Sequence, residues 1–520
     1  MMRAATVVML FFIASRVLGL LRDIVISHQF GTSRALDAYF AAFNIPDFVF
    51  NVLAGGALGS AFIPTFSAAL AQNDARRAWQ LAGAIINLTF IALTAISALL
   101  AIFAPQVVAL TVARGFAPSD QVLTADLMRW MLVTPIIFGV SGIVMGILNS
   151  HQHFVLPALA PVVYNAAIIA SALLLAPMVG VYGLAAGVVV GALLHLAVQL
   201  PWLFWKLEVR SWRLEISNFQ FPISNLQSAD VREVIRLMLP RTLGIAAVQI
   251  NFLVNTILAS ALPAGAIAAL AYAWRVMLLP VGVVGQSLAT AVFPTFSAQT
   301  ARQEIDDFRD TFSMTFRVTL YLTIPATVGL IVLGVPFITL LFQRGEFEAR
   351  STAETAWALQ FFALALFAHA GLEIVSRAFY ALHDTFTPVA VGIGAMTLNI
   401  MLSIMLSVPL TQGGLALANS IATILEVSTL LVILRGRIGH VDGRRIALSA
   451  ARIVIAAIAM AAVLVPFANQ FASSPIFVAM AGTIIGAVVY FVATFALRSD
   501  EITFVLRRAK TINRKSESID

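Results

Sequence analysis

Cysteine and charge are what this 520-residue sequence lacks most. With no cysteine, the chain has no disulfide framework, no thiol nucleophile and no cysteine-ligated metal site. Charged residues make up only 11% of the chain, against about 25% in an ordinary soluble domain. So few charges could not cover the surface of a soluble protein of this size. Composition therefore excludes a soluble globular protein, a disordered chain and a nucleic-acid-binding domain.

Hydrophobic residues, in contrast, make up 60% of the chain. They occur in runs of about 20 residues, the length that a membrane-spanning helix needs. Outer-membrane barrels instead alternate apolar and polar residues. We therefore predict an all-α polytopic membrane protein with about 14 transmembrane helices. The predicted spans lie near 5–27, 36–66, 79–104, 123–149, 157–176, 181–205, 234–260, 265–297, 314–340, 352–380, 386–408, 413–434, 449–470 and 474–497.

Lysine and arginine predict the orientation of these spans. With the N-terminus in the cytoplasm, one side of the membrane collects 22 of the 32 cations and the other side only 4. The four are Arg34, Arg114, Arg344 and Arg350. Cytoplasmic loops carry such an excess of positive charge, so we predict that both termini are cytoplasmic. No small-residue cleavage site follows the apolar N-terminus, which we interpret as a retained first span rather than a signal peptide.

The sequence also repeats itself at one constant offset between its two halves. Phe62-Ile-Pro-Thr-Phe-Ser-Ala68 recurs as Val292-Phe-Pro-Thr-Phe-Ser-Ala298, Gly55 maps to Gly285, and Arg114-Gly-Phe maps to Arg344-Gly-Glu-Phe. Each half has six spans, and an even number keeps the halves in the same orientation, as in a parallel repeat. The predicted domains are an N-terminal six-helix lobe (1–205), a cytoplasmic linker (206–233), a C-terminal six-helix lobe (234–434), two additional helices (435–497) and a basic cytoplasmic tail (498–520).

Two like-oriented bundles favour a transporter that exposes a central cleft to each side in turn. A duplicated bundle with a static scaffold role is the alternative. The chain has only three lysines, and none follows the glycine of a nucleotide-binding P-loop. Transport would therefore draw on the membrane potential, on an ion gradient such as Na⁺ or H⁺, or on downhill disposal of the substrate. We predict no other cofactor and no metal.

Charged residues inside spans are costly and indicate functional sites. Arg16, Arg22 and Arg275 lie deep in their spans and outnumber acidic partners, which suits an anionic ligand, because the guanidinium fork matches phosphate. Asp23 and Asp37 are further candidates, with structural ion pairs as the alternative. Seven residues separate Arg16 from Asp23, so the two share one face of the first span, whereas Arg22 points elsewhere and could reach a neighbouring helix.

Polar residues in other spans predict an ion site or proton relay. The candidates are Asn251, Asn255, Glu373 and Asn399. Glu373 lies between His369 and Arg377 on one face of the tenth span, where a plain i,i+4 ion pair with Arg377 is the favoured interpretation. The buried amides are more often hydrogen-bond contacts between helices.

An enzyme is the alternative of another class. Asp306-Asp-Phe-Arg-Asp310 is the pattern with which some membrane prenyl or glycosyl transferases hold Mg²⁺ and a diphosphate. No second acidic cluster faces it in the sequence, so we interpret it as a solvated cytoplasmic loop. His151 and His153 are likewise interpreted as solvated loop residues. A drug or cation antiporter is disfavoured, because cationic substrates need buried acids rather than buried arginines.

Several segments resemble the MurJ (MviN) family of lipid II flippases. They are Ser15-Arg-Val-Leu-Gly-Leu-Leu-Arg-Asp-Ile-Val25, Phe30-Gly31, Asp37-Ala-Tyr-Phe40, Ala61-Phe-Ile-Pro64, Leu341-Phe-Gln-Arg-Gly-Glu-Phe347 and Arg377-Ala-Phe-Tyr-Ala-Leu-His-Asp-Thr-Phe-Thr-Pro388. The resemblance covers most of the chain. It implies the multidrug/oligosaccharidyl-lipid/polysaccharide exporter fold, with fourteen helices in two lobes and a hydrophobic groove formed with the last two helices.

The resemblance also implies a function, a site and a location. The family moves an undecaprenyl-diphosphate-linked peptidoglycan precursor, lipid II, from the cytoplasmic to the outer leaflet of the bacterial inner membrane for cell-wall biogenesis. Arg22, Asp23, Asp37 and Arg275 fall on family positions important for function, and Arg16 on another basic one. The implied partners are a lipid-linked anionic glycan, membrane lipids and the cell-wall synthesis machinery, and no nucleic acid.

The sequence departs from the family at a few positions. Family members usually carry arginine around Phe50 and Asn51, glutamate where Gly55 stands, and an acidic residue near Leu278. The missing arginine is one of the expected phosphate contacts. A flippase for another polyprenyl-linked glycan is therefore the alternative within the same superfamily.

Overall fold

The computed structural model describes residues 2–206 and 229–501. All regular secondary structure in those two ranges is helical, which confirms the predicted fold class. The helices are α1 (Met2–Phe30), α2 (Arg34–Leu53), α3 (Gly56–Ala71), α4 (Ala75–Ile102), α5 (Ala104–Leu110), α6 (Pro118–Met131), α7 (Val133–Ser150), α8 (Val155–Leu174), α9 (Ala176–Val179), α10 (Val181–Ala197), α11 (Leu200–Lys206), α12 (Ala229–Ser260), α13 (Ala266–Pro280), a π-helix (Val281–Gln286), α14 (Ser287–Ala301), α15 (Ile305–Val332), α16 (Gly334–Phe342), α17 (Ala349–Ala363), α18 (Leu366–Ala381), α19 (Phe386–Leu410), α20 (Gln412–Ile438), α21 (Gly443–Gln470) and α22 (Pro475–Ala496).

All fourteen predicted spans coincide with helical stretches. Within the described ranges, ten stretches are long and apolar enough to cross a membrane, or eleven if α17 and α18, which meet at a 45° bend, form one span. The first, second and seventh predicted spans fall outside this set, and a break after Leu53 divides the second. The count of fourteen stays a prediction.

The backbone carries the same repeat as the sequence. Left-handed φ angles occur at Asn73 (57°) and, at the offset of the sequence repeat, at Gln303 (59°). Both residues come just before the long helix that opens the next span. Gly180 and Thr411 stand at nearly the same offset and adopt nearly the same conformation, with φ and ψ of 62° and −141° in one and 51° and −131° in the other. Matching backbone at matching positions is what a duplicated bundle requires.

The first compact unit comprises residues 1–268 together with 345–347. Within it α1 packs on α8, α8 on α10, and α4 on α7. Helix α12 also belongs to this unit, where it packs on α2 and α3. An aromatic cluster near the predicted cytoplasmic ends holds α3 and α4 together, because the Phe66 ring packs edge-on against Trp79 at 5.9 Å. The predicted division at a 206–233 linker stays a prediction, and most of that linker lies outside the described residues.

The second unit comprises residues 269–344 and 348–520, of which the basic tail beyond 501 lies outside the described residues. Its core is a cluster of buried phenylalanines on α14, α15 and α18, with the rings of Phe296 and Phe308 only 4.9 Å apart. The two additional helices pack on each other, and α21 also packs on α15. Helix α22 is bonded to α15 as well, since the Tyr490 hydroxyl donates to the backbone oxygen of Tyr321 at 2.7 Å.

The acidic cluster at 306–310 is not the loop that the sequence predicted. Helix α15 begins at Ile305, so Asp306 and Asp307 occupy its first turn. Carboxylates are favourable there because they face the positive end of the helix dipole. Asp306 also forms an ion pair with Arg309 one turn later. All three aspartates of the cluster are exposed, as predicted for a solvated segment.

Candidate substrate-binding residues and their surroundings

Arg22 is held in place from two sides. Its Nη2 and Nε atoms donate to one carboxylate oxygen of Asp23, at 3.0 and 3.2 Å. Its Nη1 donates to the side-chain oxygen of Asn165 on α8, at 3.1 Å. The predicted contact with a neighbouring helix therefore forms, but the prediction that Arg22 points away from Asp23 is wrong. Adjacent residues diverge by about 100° on a helix, and the long guanidinium spans that gap.

This arrangement orients Arg22 and keeps part of it accessible. A guanidinium has five N–H donors, and the contacts with Asp23 and Asn165 use three of them. The Arg22 side chain keeps 22% of its exposure. Arg16 lies on the same helix six residues earlier with an exposed side chain. An anion that reaches α1 would therefore meet one oriented and one freely extending guanidinium.

Asn165 was missed by the sequence analysis. Its side-chain nitrogen donates to the backbone oxygen of Pro161 at 3.0 Å, on the preceding turn of its own helix. Asn165 is buried and links that region of α8 to Arg22. The signal in the sequence is a lone amide in an otherwise apolar span.

Asp37 is fully buried at the start of α2, and its closest contacts are with backbone. Its two carboxylate oxygens accept the N–H groups of Gly265 at 2.6 Å and Ala268 at 2.9 Å. These amides open α13, so Asp37 caps that helix from a distant part of the chain. An Arg34 nitrogen lies 3.6 Å from the same carboxylate. Asp37 therefore determines where α13, the helix that carries Arg275, begins.

Arg275 is half-buried on α13 and belongs to the second unit. The residue before it anchors this turn, because the Trp274 ring packs edge-on against His369 of α18 at 5.4 Å. The ring of His369 is hydrogen-bonded in turn to the Asn419 side chain on α20, at 3.1 Å. Packing and hydrogen bonds therefore fix the turn from which Arg275 projects.

The predicted ion or relay residues are divided between the two units. Asn251 and Asn255 lie on α12 in the first unit, and Glu373 and Asn399 lie in the second. Asn399 is buried on α19, and Asn251 is half-buried. The structure does not test whether any of them binds an ion, so that role stays a prediction.

The ion pair favoured for the tenth span does not form. No ion pair joins Glu373 to Arg377 within residues 2–206 and 229–501. Instead the Arg377 guanidinium lies 5.7 Å from the centre of the Phe293 ring, a cation–π contact with α14. His369 turns away towards Asn419. Spacing placed these residues on one helix face correctly, but contacts with other helices determine where the side chains point.

Three positions that carry charge in the resembled family are occupied differently here. The Phe50 ring packs on Phe138 of α7 at 5.5 Å. The Asn51 side chain donates to the backbone oxygen of Asp47 at 2.9 Å, within its own helix. Gly55 lies in the break between α2 and α3. This part of the first unit therefore contains an aromatic contact and a helix break in place of charge.

The α2 helix carries one more polar contact in the same region. The Gln249 side-chain nitrogen of α12 approaches an Asp47 carboxylate oxygen at 3.5 Å. Gln249 was not singled out in the sequence, although it precedes Asn251 by two residues. The contact joins α12 to α2.

An apolar cavity of about 320 Å³ lies in the second unit between α15, α16, α21 and α22. Its walls include Gly329, Gly482 and Gly486, together with Tyr321 and Tyr490. The last two helices therefore form an apolar groove with the second repeat, in agreement with the layout that the resemblance implied.

Two loops that the sequence predicts on the outer side cross each other at glycines. A Cβ atom on Gly31 would lie 2.2 Å from the backbone oxygen of Glu346, and one on Gly345 would lie 2.3 Å from that of His28. The Glu346 N–H also donates to His28 at 2.9 Å. Phe347, the next residue, is fully buried. We call this contact the glycine crossing.

The repeat supplies a counterpart to the glycine crossing. Gly115, the equivalent of Gly345, lies against the equivalent of Gly31, which is Ala261. A Cβ on Gly115 would be 2.4 Å from the Ala261 Cα atom, and its N–H donates to the Ser260 hydroxyl at 3.1 Å. Arg34 packs over the adjacent Phe116 ring at 4.7 Å. The Arg-Gly motifs found in the sequence are therefore docking loops.

Comparison with known proteins identifies relatives along the whole chain. The model of the family described as "Lipid II flippase MurJ" matches residues 26–486. The "Lipid II flippase MurJ" of Burkholderia cenocepacia is 32% identical over 442 residues, covering 84% of each chain. The "Probable lipid II flippase MurJ" of Haemophilus influenzae is 29% identical over 482 residues, covering 89% of this chain and 92% of its own.

Solved structures give the same result. This chain is similar to a "Lipid II flippase MurJ, inward closed conformation", with a TM-score of 0.80 and 26% identity, over 95% of this chain and all of that one. It is also similar to the inward-facing conformation of a multidrug resistance transporter of the MATE family, within the MOP superfamily. That match has a TM-score of 0.69 and 17% identity, over 82% of this chain and 94% of that one, and at this identity it concerns the fold alone.

Proposed function

Because the chain belongs to the lipid II flippase MurJ family, we propose that it moves lipid II from the cytoplasmic to the outer leaflet of the bacterial inner membrane. The single observation that carries the proposal is the family match over residues 26–486. Arg22 supplies the supporting chemistry, since it is oriented inside the membrane and keeps N–H donors available. The mechanism is alternating access, in which the two lobes expose a site first to one side and then to the other.

The headgroup binds through its diphosphate. Planar guanidinium groups recognise phosphate oxygens in pairs, so Arg22 is a phosphate ligand in the first unit, where Arg16 attracts the anion, and Arg275 is a phosphate ligand in the second. Asp23 neutralises part of the Arg22 charge and fixes its orientation. This moderates affinity, which helps release on the far side. Asp37 acts indirectly as a positioning residue, because it caps the helix from which Arg275 projects.

The polyprenyl tail remains in an apolar environment throughout. The cavity between α15, α16, α21 and α22 has an apolar lining and about 320 Å³ of space, enough for only part of a long isoprenoid chain. The rest of the tail stays in the bilayer. No soluble carrier is needed, because only the polar headgroup has to cross the apolar core of the membrane.

Another polyprenyl-linked glycan is the second candidate substrate. The observation that favours it is the contact between Phe50 and Phe138, where the family usually places arginine. An aromatic wall binds sugar rings well but phosphate poorly. The acidic cluster at 306–310 has no place in this function, and we propose no transferase chemistry, because its aspartates are exposed and Asp306 pairs with Arg309.

The proposed orientation has both termini in the cytoplasm, where cell-wall synthesis enzymes supply the substrate. It also places the glycine crossing outside. The chain has no cysteine, so a single cysteine in place of the exposed Glu346 is a clean probe. A membrane-impermeant maleimide added to intact spheroplasts should label Glu346→Cys. Labelling only after the membrane is opened would reverse the orientation.

Complementation tests the function. A bacterium depleted of its own lipid II flippase should grow when it expresses this chain, and Arg22→Ala or Arg275→Ala should abolish the rescue. Arg350→Ala is the matched control, because this arginine is exposed and bonds to Glu354 one turn later. Equal membrane insertion of all variants is checked by immunoblot. Full rescue by both test variants would refute the diphosphate site.

Rescue in a second strain separates the two candidate substrates. A strain that lacks a flippase for another polyprenyl-linked glycan is complemented in parallel. Rescue of that strain, but not of the lipid II flippase strain, would favour the other glycan.

A further inference from the structure

Glu426 is an acid in the middle of a membrane span. It lies on α20 (Gln412–Ile438), which is one of the ten apolar stretches. Fourteen residues separate it from the start of the helix and twelve from the end. At about 1.5 Å per residue, both ends are roughly 20 Å away. The carboxyl group therefore lies near the centre of a hydrocarbon core that is about 30 Å thick.

Among the described residues, the acids that are fully buried have a partner, whereas the half-buried Glu426 has none. Asp23 is paired with Arg22 at 3.0 Å, and Asp37 accepts two backbone N–H groups. Glu501 is paired with Arg317 at 3.1 Å and accepts a hydrogen bond from a serine. In the part of the chain that the structure describes, the Glu426 carboxyl has neither a hydrogen bond nor an ion pair.

The helices packed against α20 explain the missing partner. Helix α19 carries no charged residue, and α17 has only Arg350 and Glu354, which bond to each other near its start. On α18, His369 is hydrogen-bonded to Asn419 and Arg377 lies over the Phe293 ring. The remaining ionisable side chain of α18 is Glu373, which is an acid like Glu426. The basic residues of α20 itself, Arg435 and Arg437, lie more than two turns further on.

Space for the Glu426 carboxyl comes from a glycine. A Cβ atom on Gly392 of α19 would lie 3.3 Å from the Glu426 Oε1 atom, tighter than ordinary contact. The Glu426 side chain is only half-buried. Towards the start of α20, Thr423 and Asn419 follow on the same helix face, and both lie within 3.5 Å of the His369 ring nitrogen. A short row of polar groups therefore leads away from the carboxyl.

An acid held at the membrane centre is costly in its ionised form. A neighbouring cation would remove that cost and would also hold the carboxylate in its charged form. Without a cation, the group can take up and release a proton as its access to water changes. This is the property that a coupling site needs, and a structural ion pair lacks it.

We propose that Glu426 is a proton-binding site that couples proton entry to the transport cycle. The inference rests on the proposed flippase function and adds the coupling ion. In one state Glu426 takes a proton from water on the outer side by way of the polar row at Thr423 and Asn419. In the other state it releases that proton to the cytoplasmic side, so each proton crosses once and no bond other than O–H changes.

The test uses the full-length protein in liposomes that contain a fluorescent lipid II analogue. A pH gradient, acidic on the outer side, is imposed while potassium and valinomycin hold the membrane potential at zero. The readout is the ratio of flipping rates with and without the gradient. We expect a ratio of several-fold for the wild type and a ratio near one for Glu426→Gln. Glu354→Gln, a paired acid on α17, is the control and should keep the wild-type ratio.

Each outcome supports or overturns the proposal. A wild-type ratio of one, or a raised ratio in Glu426→Gln, overturns it while leaving flipping itself established. Acceleration by a sodium gradient but not by a proton gradient also overturns it. Absence of all flipping by the wild type means that the proposed function fails instead.

A second measurement keeps the proposal testable if Glu426→Gln does not fold. The infrared carbonyl stretch of a protonated carboxyl group is recorded on the wild type and on the more conservative Glu426→Asp. A band that changes with bulk pH and shifts in Glu426→Asp supports the site. The same band unshifted in Glu426→Asp overturns it.

Discussion

Replacing Gly345 by alanine tests the glycine crossing with a single methyl group. Gly345 has a φ of +58°, in the left-handed region, and its added Cβ would lie 2.3 Å from the backbone oxygen of His28. The positive φ and the close contact would both destabilise an alanine at this position. The methyl cannot escape by rotation, and the atom that it meets is backbone rather than a flexible side chain.

The expected cost has two parts. A left-handed conformation costs a residue with a Cβ about 1 kcal/mol. Relief of the contact needs a shift of roughly 1 Å, which breaks the hydrogen bond from the Glu346 N–H to the His28 backbone oxygen at 2.9 Å, and such a hydrogen bond contributes about 0.5–1.5 kcal/mol net. We therefore expect Gly345→Ala to lower the free energy of unfolding by about 2 kcal/mol.

Two other glycines separate the backbone cost of a positive φ from the cost of the close contact. Gly180 also has a positive φ, of +62°, but a Cβ there meets nothing within 4 Å, so Gly180→Ala measures the backbone cost alone. Gly19 has open space around it and lies inside α1. Gly19→Ala should be stabilising by about 0.5–1 kcal/mol, because alanine loses less conformational freedom in a helix.

The assay is denaturant-induced unfolding of the three purified variants in one detergent. The order of stability should be Gly19→Ala above wild type, then Gly180→Ala, then Gly345→Ala. A Gly345→Ala variant as stable as Gly180→Ala would refute the close crossing of the two loops.

Two further predictions concern stability. Thr411 has a φ of +51° where the first repeat has Gly180, so Thr411→Gly should stabilise the protein by about 1 kcal/mol, measured in the same unfolding assay. Arg77 binds both carboxylate oxygens of Asp230, at 2.6 and 2.7 Å, and this hydrogen-bonded pair lowers the pKa of Asp230 below its usual value. Because the folded pKa lies below the unfolded one, the stabilisation is present above about pH 4. The stability difference between wild type and Asp230→Asn should therefore shrink as the pH falls below that value, and a constant difference would contradict the pairing.

The helical fold and the duplication could be predicted from the sequence, because both leave periodic marks. Long apolar runs identify spans one by one. The offset between the two Phe-x-Pro-Thr-Phe-Ser-Ala segments reappears in the backbone at Asn73 and Gln303. The count of fourteen spans stays a prediction, because ten or eleven stretches of the described residues are long and apolar enough to cross a membrane.

The contacts of the candidate residues could be predicted only in part. Arg22 was expected to reach another helix and does, but its partner Asn165 lies 143 residues away. Asp37 was weighed as a substrate ligand or an ion-pair member, and it does pair with Arg34 at 3.6 Å. Its closest contacts, however, are backbone N–H groups of Gly265 and Ala268. Every residue other than proline has such an N–H group, so a sequence contains no signal for this kind of contact.

Glu426 was not predicted as a functional residue from the sequence. Arg16, Arg22 and Arg275 indicated an anionic ligand, whereas the sequence pattern did not single out the acid within the twelfth span. Its significance depends on the absence of a partner, which only packed helices reveal. Arg377 is the opposite case. The sequence spacing predicted Glu373 as its partner, but in the packed helices its guanidinium lies on the Phe293 ring.

The central claim is that this chain moves lipid II to the outer leaflet. The most direct test measures the fraction of lipid II in that leaflet. Cells depleted of their own flippase are induced to express this chain, and a membrane-impermeant enzyme that cleaves lipid II is added to spheroplasts. The account predicts that the cleaved fraction rises to near that of undepleted cells with the wild type, and stays at the depleted level with Arg22→Ala. Lipid II that remains protected although the wild-type chain is inserted in the membrane would contradict the claim.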